Sequence, residues 1–173
     1  LSGVIDFFKM VDDAVDMPMI IYNFPGRTGY NVTPDIVGKL LDAVPNICGI
    51  KECAERFEQT MELIGHFGDR MAVLSGNEFL GAWEMLCGAD GCVVATGNVM
   101  IKELVKLYDI AKSGDIAKTT EYGLSLFPMM RSLFKSPNPG PCKYGMILRG
   151  FAAGNPTVPC VECEEPVKAE VKS

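Results

Sequence analysis

Short apolar runs alternate with longer stretches of helical periodicity along most of the chain. Val4, Phe7, Phe8 and Val11 recur on one face of a helix predicted over about 4–15. The run Met19-Ile20-Ile21 predicts a strand over 19–22. Thr33-Pro34 then supplies a helix start, a capping residue followed by a proline whose missing amide is harmless in the first turn, and Ile36, Val37, Leu40 and Leu41 continue it. Strands over 47–50, 72–74 and 92–95 follow, separated by helices over about 56–66 and 79–87 and followed by one over about 101–113. This order predicts an α/β fold with a parallel sheet and crossover helices. The strand-end residues Tyr22, Lys51, Ser75 and Ala95 lie 29, 24 and 20 positions apart, intervals that suit successive strand-helix units.

From Asp115 onward the pattern is helical through Tyr122, Leu126, Met129, Met130 and Leu133, with Pro128 expected to kink or break it. Ser136-Pro137-Asn138-Pro139-Gly140-Pro141 is a break, because proline lacks a donor and restricts the residue before it. A last helix is predicted over 141–150. The end of the chain is charged, contains Pro166 and lacks apolar periodicity, so it is expected to be loose.

Two of the apolar runs end in residues that carry chemistry. Met19-Ile20-Ile21 opens into Tyr22-Asn23-Phe24-Pro25-Gly26-Arg27-Thr28-Gly29, and Ile47-Cys48-Gly49-Ile50 opens into Lys51-Glu52. Consecutive parallel strands would bring a tyrosine, an arginine and a lysine to one end of one sheet. An amine held in an apolar site can be nucleophilic toward a carbonyl, which makes Lys51 a candidate Schiff-base former; a solvated strand-end cation is the plain alternative. Tyr22 is the candidate proton carrier, since a phenol both donates and accepts, against ordinary strand-end packing. Arg27 offers a planar fork of donors to a carboxylate, or is a turn cation between glycines. Gly76 permits close approach of backbone to a ligand, and Ser75 or Asn77 either adds polar contacts or caps the next helix.

Charge and cysteine content exclude several other classes. The net charge is -6 and the sixteen Lys and Arg are scattered, which argues against nucleic acid. No apolar stretch approaches the roughly 20 residues of a membrane span, and Leu1-Ser2-Gly3-Val4-Ile5-Asp6 does not read as a signal peptide, so the expected partners include no membrane and the expected location is cytoplasmic. The seven cysteines, several inside apolar runs, fit a reducing compartment. Cys160-Val161-Glu162-Cys163 has half the spacing of a zinc knuckle but lacks a second pair, so no metal is expected. His66, the only histidine, suggests a helix end rather than catalysis. Gly91 and Gly97 bracket a predicted strand without the lysine of a phosphate-binding loop.

At the tyrosine and lysine motifs the chain resembles the dihydrodipicolinate synthase and N-acetylneuraminate lyase family of pyruvate-handling class I aldolases. Leu74-Ser75-Gly76-Asn77-Glu78, Gly88-Ala89-Asp90-Gly91-Cys92-Val93-Val94 and Asn138-Pro139-Gly140-Pro141-Cys142-Lys143 resemble further motifs of the family, in its order. The resemblance implies a TIM (β/α)8 barrel, a fold of about 250 residues, against 173 here. It therefore implies strands 5 to 8 of the barrel with their helices, a carboxyl-terminal portion whose threonine-bearing pyruvate loop and exchanged tyrosine lie outside the chain. Expected segments are a half-barrel over 1–113, a helical region over 114–154 and a loose tail over 155–173.

The resemblance also implies the chemistry. Lys51 would form an imine with pyruvate, Tyr22 would relay protons, and Arg27, Gly76 and the main-chain carbonyl of Val93 would contact substrate, with the Val93 side chain in the core. No cofactor is implied. The expected partners are a 2-oxo acid and an aldehyde, with a homo-oligomer, dimer or tetramer, for the full-length protein. Arg27 within Gly26-Arg27-Thr28-Gly29 is similar to the version that accepts aspartate semialdehyde on a route toward lysine. Gly140 and Tyr144 depart from the family pattern, and another 2-oxo acid aldolase or hydratase-aldolase stays open. So does a catalytically silent half-barrel acting by association, and the chain alone is expected to be inactive.

Overall fold

The computed structural model describes residues 2–172, so Leu1 of the expected half-barrel and Ser173 of the expected tail lie outside the described residues. Two compact units divide between Val93 and Val94, earlier than the boundary expected at 113/114. The first contains α1 (Ser2–Val15), β1 (Met19–Asn23), α2 (Pro25–Thr28), α3 (Pro34–Ala43), β2 (Ile47–Glu52), α4 (Phe57–Phe67), β3 (Ala72–Ser75), α5 (Gly81–Leu86) and β4 (Gly91–Cys92). Its four strands are all parallel, in the order β1-β2-β3-β4. Four such strands are half the number that closes a (β/α)8 barrel, so the fold is an α/β piece of a barrel.

Strand geometry sorts the side chains of this sheet onto two unlike faces. Ile21, Ile50 and Val73 share one register row and are 1%, 0% and 0% exposed. They pack with Val37 and Leu40 of α3 and Leu63 of α4 into the main core cluster. The intervening positions form the other face. There Ile20 is 51% exposed and Tyr22 54%.

Helix boundaries follow local chemistry. Thr33 occupies the position before α3 and Pro34 its first turn, although the threonine hydroxyl makes no capping bond. Asn77 is the effective cap ahead of α5, its Oδ1 accepting from the amides of Phe79 and Leu80 at 2.9 and 3.2 Å. The short helix α2 was not expected, and the strand expected over 92–95 is limited to Gly91–Cys92, because Ala95–Asn98 forms a 3-10 turn.

The second unit contains that turn, α6 (Ile101–Lys112), α7 (Ile116–Ser132), α8 (Gly140–Leu148) and α9 (Glu165–Lys172). Asp115 caps α7, its side chain accepting from the Lys118 amide at 3.0 Å. Pro128 does not break α7. The carbonyl deprived of a donor there belongs to Leu124, which is exposed, so water can satisfy it. The tail is not loose throughout: α9 buries Val167 and Val171 with Leu133 and Cys142, and an i,i+4 pair of valines suffices to dock a short helix when a core is available. No described helix is long and apolar enough to cross a membrane.

One carboxyl group is built into the core of the first unit. Glu84 is 3% exposed; Thr60 Oγ1 donates to its Oε1 at 2.9 Å, and Oε2 has no hydrogen-bond partner among the described residues. Burial pushes its pKa up, with the Ser75 and Thr60 hydroxyls acting the other way and Glu52 adding to the rise. The folded state therefore holds a proton that the unfolded chain gives up once pH exceeds the ordinary glutamate range. Stability from this group is full below that range and is lost as pH rises through the raised folded value. Glu84→Gln should therefore match the parent at the acid end and gain in Tm relative to it as pH rises to neutrality, measured by thermal unfolding across pH. A difference in Tm that does not change with pH would contradict a protonated Glu84.

Candidate active site

The open face of the sheet holds Tyr22 and Lys51, two of the residues singled out by the sequence. Tyr22 and Lys51 are direct register partners across β1 and β2, and Lys51 pairs in turn with Leu74 of β3. Lys51 therefore lies within β2 rather than at a loop mouth. Its Nζ sits 4.2 Å from the centre of the Tyr22 ring, within the range of a cation held over a π face. Lys51 is half-buried and Tyr22 is exposed.

Aromatic contacts extend the group toward Arg27. The Tyr22 and Phe24 rings are 5.8 Å apart, and the Arg27 guanidinium carbon lies 5.7 Å from the Phe24 ring. Arg27 is in α2, whose first turn starts with Pro25 and whose end is set by Gly29 at φ 68, a left-handed conformation that glycine adopts without steric cost. Arg27 is thus one ring removed from Tyr22, and it is exposed.

Gly76 abuts the lysine. A Cβ there would stand 1.9 Å from Cys53 Sγ, 2.9 Å from the Glu52 carbonyl oxygen and 3.1 Å from Lys51 Cε. Only glycine lets β3 pass this close to the Lys51 side chain. The Gly76 amide donates to Glu52 O at 2.7 Å, and Cys53 Sγ donates to Gly76 O at 3.5 Å. Burial pushes the Cys53 thiol up; the Lys51 charge and a hydrogen bond with the Tyr22 side chain oppose this, and Glu52 and Glu78 reinforce it. Cys53 therefore stands beside the pair as a neutral thiol at neutral pH.

Val93 is placed differently from the other four. It follows β4 directly, with its amide donating to Ser75 O at 2.8 Å. Its side chain is 47% exposed rather than in the core. The structure thus brings Lys51, Tyr22 and Gly76 together, links Arg27 through Phe24, and leaves Val93 on the edge-strand side of β3.

Sequence reasoning passed over Asn23, Glu52 and Cys53, each within two positions of a residue it chose. Asn23 and Glu52 are 1% and 2% exposed and occupy the same strand phase as Ile21 and Ile50. A polar residue in the buried phase of a strand is the signal that would have revealed them, since buried polar groups need partners.

A sequence profile of the dihydrodipicolinate synthetase family matches residues 1–173. The 4-hydroxy-tetrahydrodipicolinate synthase of Geotalea uraniireducens is 34% identical over 170 residues, 98% of this chain and 58% of that relative. Among solved structures, the dihydrodipicolinate synthase from Aquifex aeolicus superposes with a TM-score of 0.92 at 30% identity, covering 99% of this chain and 58% of that one. A prophage protein of the dihydrodipicolinic acid synthase family from E. coli K12, solved in complex with pyruvate, gives 0.87 at 29% identity, with 99% and 59% covered. The chain therefore spans somewhat under three-fifths of the length of its relatives. Neither these shares nor the four strands support a carboxyl-terminal placement or a numbering of the strands as 5 to 8, and that expectation is corrected to a partial barrel. With the profile matched from end to end and the barrel-type parallel sheet in common, the chain belongs to the dihydrodipicolinate synthetase family.

Proposed function

We propose that the whole protein is a Schiff-base lyase that joins pyruvate to an aldehyde through Lys51. The observation that carries this reading is the direct pairing of Lys51 with Tyr22 on the open sheet face, Nζ 4.2 Å from the ring. The neutral amine of Lys51 attacks the pyruvate ketone, and the carbinolamine loses water as Tyr22 passes a proton to the departing hydroxyl. The protonated imine then accepts the electron pair left when a proton leaves the methyl carbon. The resulting enamine attacks the aldehyde carbon, forming the new carbon-carbon bond as the aldehyde oxygen takes up a proton, and water then attacks the regenerated imine carbon, releasing the product and returning the Lys51 amine. The imine on Lys51 is itself the electron sink, so the proposed reaction uses no cofactor.

Aspartate semialdehyde is the aldehyde this reading favours, making the activity that of a 4-hydroxy-tetrahydrodipicolinate synthase in lysine biosynthesis. Its support is Arg27, an exposed guanidinium able to take a substrate carboxylate by two parallel hydrogen bonds, together with the name carried by the relatives. Gly76 keeps space beside Lys51 Cε, and the carbonyl of Val93 is assigned to pyruvate. A homo-oligomeric, cytoplasmic enzyme fits the exposed Phe7 and Met10 of α1 and the seven cysteines, none of them in a disulfide.

Incubating the whole protein with pyruvate and borohydride should leave a reduced, stable adduct on Lys51, located by peptide mass spectrometry. An active enzyme labelled on another lysine, with Lys51 untouched, would sink the assignment. Tyr22→Phe removes only the hydroxyl and should lower kcat by roughly 100-fold to 10,000-fold while pyruvate binding persists. Normal turnover in that variant would remove Tyr22 from the proton path.

A further inference from the structure

Beneath the open face, on the side covered by helices, four polar side chains close a ring. Asn23 Nδ2 donates to both Glu52 oxygens, at 3.0 and 2.9 Å, and to Asn31 Oδ1 at 2.9 Å. Gln59 Nε2 donates to Glu52 Oε2 at 3.0 Å and to Asn31 Oδ1 at 3.1 Å, and Asn31 Nδ2 returns a bond to Gln59 Oε1 at 2.9 Å. The Ala54 amide adds a donor to Glu52 Oε1, and Asn23 Oδ1 accepts from the Val32 amide at 2.9 Å. Every group facing the Glu52 carboxylate in this set is a donor. A buried carboxylate met by so many donors is compatible with a low-dielectric site, and removing one partner leaves the others unsatisfied.

The position of this ring gives it a task. Asn23 and Glu52 are register partners, one residue after Tyr22 and Lys51, which are partners on the opposite face. Asn31 and Val32 lie where the segment carrying α2 and Arg27 returns toward α3. Asn23 therefore grips both ends of that segment, through its own place in β1 and through its bonds to Asn31 and Val32. One network thus fixes the strand pair that bears Lys51 and Tyr22 and the loop that bears Arg27.

We infer that Glu52 and Asn23 are positioning residues: the buried ring couples the Lys51–Tyr22 pair to the Arg27 loop, so that nucleophile, proton carrier and carboxylate binder are set by one clamp. The catalytic part of this inference rests on the Schiff-base reading. The clamp itself does not, because it makes a claim about order in the loop. Glu52→Gln keeps shape and size but turns an acceptor into a donor facing other donors. Asn31→Ala leaves the Asn23–Glu52 bonds intact and removes one of the two holds on the far end of the loop, the Val32 amide bond to Asn23 remaining.

The test uses the whole protein in two measurements. In hydrogen exchange followed by mass spectrometry, peptides spanning 24–32 should exchange about 10-fold faster or more in Glu52→Gln, while α6 and α7 keep the parent rate. In kinetics normalised to borohydride-reactive Lys51, Glu52→Gln should lower kcat by about 100-fold, the effect of a small misplacement of reacting groups. Asn31→Ala should instead raise KM for the aldehyde with kcat near the parent's. Simple loss of folded protein would reduce the number of reactive sites and leave KM unchanged, and if Glu52→Gln does not fold, Asn31→Ala carries the test. Parent-like exchange in 24–32, with parent-like kcat and KM per reactive site, would overturn the clamp. Absence of a pyruvate adduct on Lys51 in the parent would overturn the functional reading instead, and exchange in 24–32 would still decide the clamp.

Discussion

The parallel register between β1 and β2 governs the candidate site from both sides. Because Tyr22 stands opposite Lys51, Asn23 must stand opposite Glu52, and alternation sends the first pair to the open face and the second into the core. A slip of β1 by one residue would turn Tyr22 inward and Asn23 outward, parting Tyr22 from Lys51 and Asn23 from Glu52. The apolar row Ile21, Ile50 and Val73 resists that slip, since the same shift would expose the centre of the core. Hydrophobic burial, worth about 1.5–3 kcal/mol for each large aliphatic side chain, thus secures the geometry of a polar site it does not touch.

Close backbone approach is the second constraint. Gly76 lets β3 lie against the Lys51 stem, with Cys53 filling the space a Cβ would need. The lysine is thereby held between the Tyr22 ring on one strand and a bare backbone on the next. Such confinement limits the rotamers of a long side chain and lowers the entropy to be lost when it meets a carbonyl. The Cys53 thiol completes the packing, donating to Gly76 O at 3.5 Å.

Much of this was legible in the sequence, and the rest was hidden for identifiable reasons. Alternation of apolar runs gave the parallel sheet, and the runs ending at Tyr22 and Lys51 gave the two central side chains. Asn23, Asn31, Glu52 and Gln59 escape notice because the bonds that join Asn23 to Glu52 and Asn31 to Gln59 span 29 and 28 positions and exist only once register is set. The last helix was missed because Val167 and Val171 are too few to show periodicity, and only a core containing Leu133 gives them somewhere to go. The local rule expects Pro128 to kink or break the helix, and the break fails where solvent satisfies the freed carbonyl. Val93 was assigned to the core by its type, yet it sits beyond a two-residue strand with half its side chain exposed.

The central claim is that the β1–β2 register builds a carbonyl-condensing pair from Lys51 and Tyr22. A crystal structure of the whole protein after reduction with pyruvate would address it most directly. The account predicts continuous density from Lys51 Nζ into the three-carbon acid, with the Tyr22 hydroxyl within about 3 Å of the new substituent and the Asn23–Glu52 bonds intact behind it. Density joined to a different side chain, or a Tyr22 hydroxyl turned away from a modified Lys51, would contradict it.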